Sequence, residues 1–283
     1  MVTLISRHSK YSPNSEARDE ALFRSLVMNF ALQGISIATF DEAVFEHRPP
    51  QLEKSTLILS MARSEAALHA LSAAEESGVP VLNSPRALQK AQRTDFQQWF
   101  AESGHAAKHW HISTLTPDIK ARLSFPLWWK RNNTATTSAN DVQFVENRTQ
   151  LDVILQQHPQ EDALLMEHVE GQLIKFYGVV GTNFFHAEPH TPKGFSKFGH
   201  EQHNHHKDLA VSSLMWKQTL HAMHTSATQV AQQSGFSIYG GDAILLEDGT
   251  FVFIDFNDFP SFSACLPEAS AAIVQHSLSL LAK

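Results

Sequence analysis

Short apolar runs and stretches with helical apolar spacing alternate over the first 83 residues. The runs predict strands at 2–6, 35–40, 56–60 and 79–83. Apolar positions that recur every three or four residues predict helices over 14–29 and 64–77. Alternation at this rhythm favours a parallel sheet with helices on its faces.

Ligands bind beyond the carboxyl ends of the strands in such sheets. Four side chains are therefore candidates for a nearby site, although an ordinary surface role explains them equally well: Arg7, Lys10, Tyr11 and Arg63.

The rest of the chain mixes strands and helices without a repeat. The pattern predicts strands at 109–113, 125–130, 144–145, 163–167, 175–180 and 183–186. It predicts helices over 84–104, 118–123, 149–157, 209–234 and 268–281. The segment 189–208 has no apolar period, and loops of that length are usually lids or disordered. We expect three parts, an N-terminal α/β domain (1–83), a central lobe (84–162) and a C-terminal lobe (163–283).

A β-hairpin over 240–258 is the clearest single pattern. Two apolar runs flank Asp248-Gly249, the strongest short-range signal for a two-residue turn. That turn would place Leu246 near Phe251 and Ile244 opposite Phe253.

The same register places Asp242 directly opposite Asp255. Asn257 follows two residues later and therefore shares the face of Asp255. Two directly opposed carboxylates repel each other, and a bridging cation removes that cost. Hard oxygen ligands without His or Cys suit Mg2+. The alternative is that both aspartates are turn or cap residues at the ends of ordinary strands.

Composition narrows the class of protein. Hydrophobic residues make up 42% of the 283 residues and charged residues 18%, which is typical of a folded globular chain. The net charge of −7 and the absence of a Lys/Arg block argue against nucleic-acid binding. Cys265 is the only cysteine, so we expect a buried thiol and a reducing cytoplasmic setting. Neither a signal peptide nor a membrane span is expected.

Several motifs occur in an order that resembles the ATP-grasp superfamily over most of the chain. The segment 125–130 resembles the strand that delivers a phosphate-binding lysine, and 164–171 resembles the strand and hinge that hold the nucleoside. Lys175 matches a basic residue of the family, and the two aspartates with Asn257 match its magnesium ligands. The nearest similarities are to ATP-grasp inositol polyphosphate kinases, through 254–260, and to the ribosomal-protein glutamate ligase group.

The resemblance implies ATP and Mg2+ as cofactors and an ATP-grasp fold with an N-terminal parallel-sheet domain. Lys130 and Lys175 would be catalytic, and Asp242, Asp255 and Asn257 would bind the metal. Apart from the resemblance, Lys197 is a third catalytic candidate, because the flanking Phe195 and Phe198 could pin the basic loop while its amine reaches an anion. The nucleotide would be held by a set that includes both phosphate and nucleoside contacts: Lys130, Thr134, Glu167, His168, Val169, Glu170 and Lys175.

Two polar loops bear on how phosphate and substrate would be bound. The family commonly has a glycine-rich loop after the phosphate-binding lysine, whereas 132–138 contains no glycine. The basic segment 193–207 could clamp an anionic substrate through Lys197, or hold zinc or nickel through His203, His205 and His206. A mobile solvated loop is the third option for that segment.

Most families of this architecture are ligases, so the favoured reaction joins a carboxylate to an amine through an acyl-phosphate. A kinase that phosphorylates a hydroxyl is the main alternative, and a non-catalytic nucleotide-binding protein is the second. The acceptor is expected to be an anionic small molecule or peptide near Ser261 and Ser263. No nucleic acid or membrane partner is expected, and a homodimer is left open.

Overall fold

The computed structural model of the chain describes residues 1–47, 49–133, 138–191, 198–200 and 212–282. Its N-terminal part is a four-stranded parallel sheet of order β2-β1-β3-β4, as the sequence pattern predicts. The strands are β1 (Val2–Ser6), β2 (Ile37–Asp41), β3 (Leu57–Ser60) and β4 (Val81–Leu82). Two helices, α1 (Glu16–Leu32) and α2 (Glu65–Glu76), connect them.

The predicted helical segment 84–104 is helical, and it contains two helices with a break between them. Helix α3 spans Pro85–Lys90 and α4 spans Arg93–Glu102. Ala91 and Gln92 between them have extended backbones. Gln92 and Asp95 then form a capping box, which satisfies backbone donors at the start of a new helix.

A second, antiparallel sheet has the order β5-β8-β6-β7. It consists of β5 (His109–His111), β6 (Leu127–Arg131), β7 (Val142–Val145) and β8 (Ala163–Glu167). Two helices accompany it, α5 (Pro117–Ala121) and α6 (Arg148–Gln157). Strand β8 pairs with β5 and β6, so the strand that begins at residue 163 lies in this second sheet.

A third, antiparallel sheet has the order β10-β9-β11-β12. It consists of β9 (Gln172–Val179), β10 (Phe185–Pro189), β11 (Ile238–Leu245) and β12 (Phe251–Asp258). Helix α7 (Ser213–Ser234) precedes β11 in the chain, and helix α8 (Leu266–Leu281) follows β12. Side chains of α4 and α7 share an aromatic-rich core with this sheet, whereas α8 packs with α1. None of the helices in the described ranges is long and apolar enough to cross a membrane.

The hairpin of β11 and β12 departs twice from the predicted register. Its loop has three residues instead of two, because Leu246 N donates to Thr250 O (2.8 Å) and Gly249 has φ +82°. This is the three-residue hairpin loop that ends in a left-handed residue. Ile244 therefore pairs with Val252, so the prediction that it lies opposite Phe253 is wrong. The residue opposite Phe251 is Leu245, the neighbour of Leu246.

A β-bulge in β12 restores the pairing further along the hairpin. Ala243 pairs with Phe253, the next pair is Asp242 with Asp255, and Ile254 is the extra residue. The one-residue shift from the loop and the one-residue bulge cancel. Asp242 and Asp255 are therefore directly opposed as predicted, and the adjacent residues Ile254 and Asp255 both reach the same cleft.

Candidate functional site

A cleft of about 460 Å³ is lined by residues from the two antiparallel sheets and from the segments that follow β1 and β3 of the parallel sheet. One end is largely apolar, the middle carries charged side chains of β6, β9 and the hairpin, and the other end reaches the parallel sheet. The apolar end is lined by residues from β6–β8, the segment after β8 and the hairpin: Trp128, Val142, Met166, Val169, Ile244 and Ile254.

His168 lies at this apolar end and has a defined tautomer. The indole Nε1–H of Trp128 donates to His168 Nδ1 (3.1 Å). Because an indole N–H only donates, Nδ1 must accept, and the neutral imidazole then carries its proton on Nε2. Phe144 packs edge-on against both rings. An aromatic wall with one ring donor and apolar neighbours suits a planar heterocycle.

Lys130 crosses from the second sheet to the hairpin in the middle of the cleft. Its Nζ donates to the carbonyl oxygen of Ile254, the bulge residue, at 2.7 Å. The side chain is buried, and that burial lowers the pKa of Lys130 to about 8. Asp255 and Asp242 raise this pKa and Arg93 lowers it further. The ammonium is thus held beside the opposed carboxylates.

Arg93 is a charged member of this cluster that our sequence reasoning missed. Its Nη1 lies 2.5 Å from Asp255 Oδ1, and the arginine side chain is only 5% exposed. Burial by itself would raise the pKa of Asp255, but Arg93 and Lys130 outweigh it and hold that pKa below its ordinary value. No sequence signal identified it, because the predicted helical segment 84–104 places Arg93 in its interior, whereas the structure shows it as the first residue of α4, where the helix dipole disfavours a cation.

Lys175 and Asn257 complete the cluster. Lys175 is the cross-strand neighbour of Asp242, and its Nζ lies 3.3 Å from Asp242 Oδ1. Asn257 Nδ2 lies 3.5 Å from Asp255 Oδ2, on the face that the strand alternation predicts. The structure therefore brings together Lys130, Lys175 and the three predicted metal ligands, with Arg93 added.

The oxygen donors of the hairpin fit a hard divalent cation. Two carboxylates face each other across the strand pair, and the amide of Asn257 lies beside one of them. In the described ranges, no three His, Cys, Asp or Glu side chains come together closely enough to hold a metal. A metal at this hairpin would therefore need Asn257 as its third protein ligand.

The remaining predicted nucleotide and lid residues divide into three groups. Val169 and Glu167 line the cleft, and Glu167 Oε1 also accepts from the backbone N–H of Lys108 (2.8 Å). Glu170 is exposed and does not line the cleft. Thr134, Lys197 and the imidazoles of His203, His205 and His206 lie outside the described residues.

The far end of the cleft is formed by the segments that follow β1, β3 and β12. Arg7, Tyr11 and Arg63 line it, together with Ser261 and Ser263 from the segment after β12. Lys10 does not line it, because its ammonium pairs with Glu46 at the surface (3.1 Å).

Cys265 follows this region and is buried. Burial raises the pKa of its thiol to about 12, so the sulfur is protonated and unreactive near neutral pH.

No protein-family model and no curated protein matches the sequence. Solved structures do match. The D-Ala:D-Ser ligase VanG from Enterococcus faecalis aligns with a TM-score of 0.68 at 13% identity, covering 99% of this chain and 98% of that chain. D-alanine–D-alanine ligase from Bacillus anthracis complexed with ATP aligns with a TM-score of 0.65 at 12% identity, covering 99% and 97%.

A RimK domain ATP-grasp protein from Sphaerobacter thermophilus aligns with a TM-score of 0.68 at 15% identity, covering 98% of this chain and 100% of that chain. Near-complete coverage of both chains means that the alignments extend over all three sheets of this chain. The chain has the ATP-grasp fold, which confirms the fold that the motif order predicts.

Proposed function

We propose that this protein is an ATP- and magnesium-dependent ligase that joins a carboxylate to an amine. The observation that carries the proposal is the charged cluster at the centre of the cleft. Three cationic side chains and two opposed carboxylates converge there, beside an apolar pocket suited to a purine. The structural neighbours named as ligases support this reaction class over a kinase.

Each part of the cluster has a task in the proposed reaction. A triphosphate needs its negative charge neutralised and its γ-phosphoryl group held in line. Lys130, Lys175 and Arg93 supply fixed cations for the phosphates. Asp242, Asp255 and Asn257 would hold Mg2+, which would neutralise charge on the phosphate oxygens. The wall of Trp128 and His168 would hold the adenine or ribose.

The reaction then has two steps. A carboxylate oxygen of the first substrate attacks the γ-phosphorus, the bond to the bridging oxygen breaks, and ADP leaves. The amine nitrogen attacks the acyl carbon, inorganic phosphate leaves, and the nitrogen loses a proton. Fixed cations favour the first step because negative charge develops on the leaving oxygen. The substrates would enter at the end of the cleft near the N-terminal domain, beside Ser261 and Ser263.

A cytoplasmic setting is part of the proposal, supported by the single buried thiol of Cys265.

Metal-dependent nucleotide binding tests the proposal directly. Titrating ATP with and without Mg2+ should show that Mg2+ strengthens binding to the wild type and has little effect in Asp255→Asn. Glu247→Gln removes an exposed charge from the same hairpin and is the matched control, so it should behave like the wild type. An equal Mg2+ effect in Asp255→Asn would mean that the opposed aspartates are structural.

The products distinguish the two reaction classes. A metabolite screen for ADP formation should find a pair of substrates, one with a carboxylate and one with an amine. A ligase releases inorganic phosphate together with ADP, whereas a kinase releases ADP and leaves the phosphoryl group on its product. ADP formation without phosphate release would favour the kinase alternative.

A further inference from the structure

The segment that follows Asn257 has a strained backbone. Phe259 has φ +40° and Phe262 has φ +53°, a region that bulky side chains rarely occupy. Both rings are fully buried in the core that the N-terminal sheet shares with α1 and α8. Such conformations persist only where the surroundings over-determine them. Something must therefore hold 258–262 against the N-terminal domain.

Two arginines of the N-terminal domain provide that hold. Arg63 forms an ion pair with Asp258, and both side chains are only 12% exposed. Arg7 donates to the carbonyl oxygen of Phe259 (3.0 Å) and to Asp19 (3.0 Å). Both guanidinium groups also donate to the carbonyl oxygen of Met61, at 3.1 and 3.2 Å.

The loop that carries Arg63 is itself held rigidly. The carboxylate of Glu42 is buried and accepts from the backbone N–H of Arg63 (2.6 Å) and of Ser64. It also accepts from the backbone N–H of His8 (2.7 Å), directly after Arg7. One buried carboxylate therefore ties together the two loops that bear the arginines. The backbone of Arg63 is therefore fixed where its side chain pairs with Asp258.

We propose that Arg63 is a positioning residue for the metal site and acts through Asp258 on the neighbouring Asn257. This inference rests on the proposed function. Asp258 is the last residue of β12, so its position determines where the strand ends and where the Asn257 side chain lies relative to Asp255. Without the ion pair, Asn257 loses its fixed position although its own side chain is unchanged.

The test measures the Mg2+ concentration that is needed to strengthen ATP binding. Binding is monitored by tryptophan fluorescence, because Trp128 lines the cleft. Removing a direct partner of a metal ligand typically weakens metal binding by about 10–100-fold, and the low end of that range is expected for Arg63, which acts through Asp258. Arg63→Met should therefore raise the half-saturating Mg2+ concentration by about tenfold or more. ATP affinity without Mg2+ should stay within about twofold of wild type, because the phosphate-binding cations are intact. Asp258→Asn should give the same shift, and the double variant should be no worse than either single one.

Arg86→Met is the matched control, since it breaks an exposed ion pair with Glu76 far from the cleft and should leave both values unchanged. An unchanged Mg2+ requirement in Arg63→Met would overturn the inference. Equal weakening with and without Mg2+ would overturn it too, because it would indicate a general structural role. If Arg63→Met does not fold, Asp258→Asn decides the question alone. Absence of any Mg2+ effect in the wild type would instead refute the proposed function.

Discussion

Removing Arg93 should destabilise the free protein by leaving Asp255 charged and without its closest partner. Breaking a buried ion pair by deleting one partner costs about 3–5 kcal/mol. Asp255 is 25% exposed and keeps the attraction of Lys130, so we expect the low end of that range. Arg93→Met should therefore lower the free energy of unfolding by about 3 kcal/mol, measured by urea denaturation without nucleotide or Mg2+.

The double variant shows whether the charge of Asp255, left without Arg93, causes the loss of stability. Asp255→Asn removes that charge, so Arg93→Met combined with Asp255→Asn should be more stable than Arg93→Met alone. The coupling between the two sites should reach about 1–3 kcal/mol. Mg2+ should also stabilise Arg93→Met more than the wild type, because the metal replaces the lost positive charge. Arg86→Met, at an exposed pair, should change stability by less than about 1 kcal/mol.

Additive losses in the double variant would refute this reasoning. They would mean that Arg93 stabilises the protein through the hydrogen bond that its Nε donates to the carbonyl oxygen of Asn133 (3.2 Å), and that Asp255 does not need it.

Two further predictions concern the lysines. ATP affinity measured without Mg2+ should fall by up to about tenfold between pH 7 and 9, because Lys130 must be protonated to bind phosphate and its pKa is about 8. The free energy of unfolding should rise over the same pH range, because above pH 8 the unfolded chain still binds the proton that folded Lys130 has lost. Lys130→Met should abolish both effects. A pH dependence that persists in Lys130→Met would contradict the assignment to Lys130. Limited proteolysis should cut 189–208 in the free protein and slow when a non-hydrolysable ATP analogue and Mg2+ are added, and Lys197→Ala should reduce turnover far more than stability. Protection without ligand, or full activity of Lys197→Ala, would rule out a lid.

The alternation of strands and helices was enough to predict the parallel sheet, because the short apolar runs of β1, β3 and β4 are largely buried strands and β2, at the sheet edge, is partly buried. The opposition of Asp242 and Asp255 was also predicted, although for an incomplete reason. The three-residue loop shifts the register by one residue and the bulge at Ile254 shifts it back. The pattern of apolar residues indicates that two strands are present, but it reveals neither the length of the loop between them nor the position of a bulge.

Arg93 could not be placed from sequence because its role depends on a contact between elements far apart in the chain. Its partner Asp255 is 162 residues away, and the approach depends on how α4 docks against β12. The hydrophobic pattern of α4 indicated only which face is buried. The unfavourable position of a cation at a helix start became visible only in the structure, because the predicted helical segment 84–104 has no break before Arg93.

Without a ligand, the charged groups at the centre of the cleft already pair with protein partners, and this limits the affinity that a triphosphate can gain from them. Lys130 donates to Ile254 O, Lys175 pairs with Asp242, and Arg93 pairs with Asp255. A triphosphate that binds here exchanges existing partners for new ones, so each contact contributes only the difference between two interactions. Discrimination between nucleotides then depends on how well a ligand replaces those partners, and a monophosphate, which can replace few of them, would be a poor competitor.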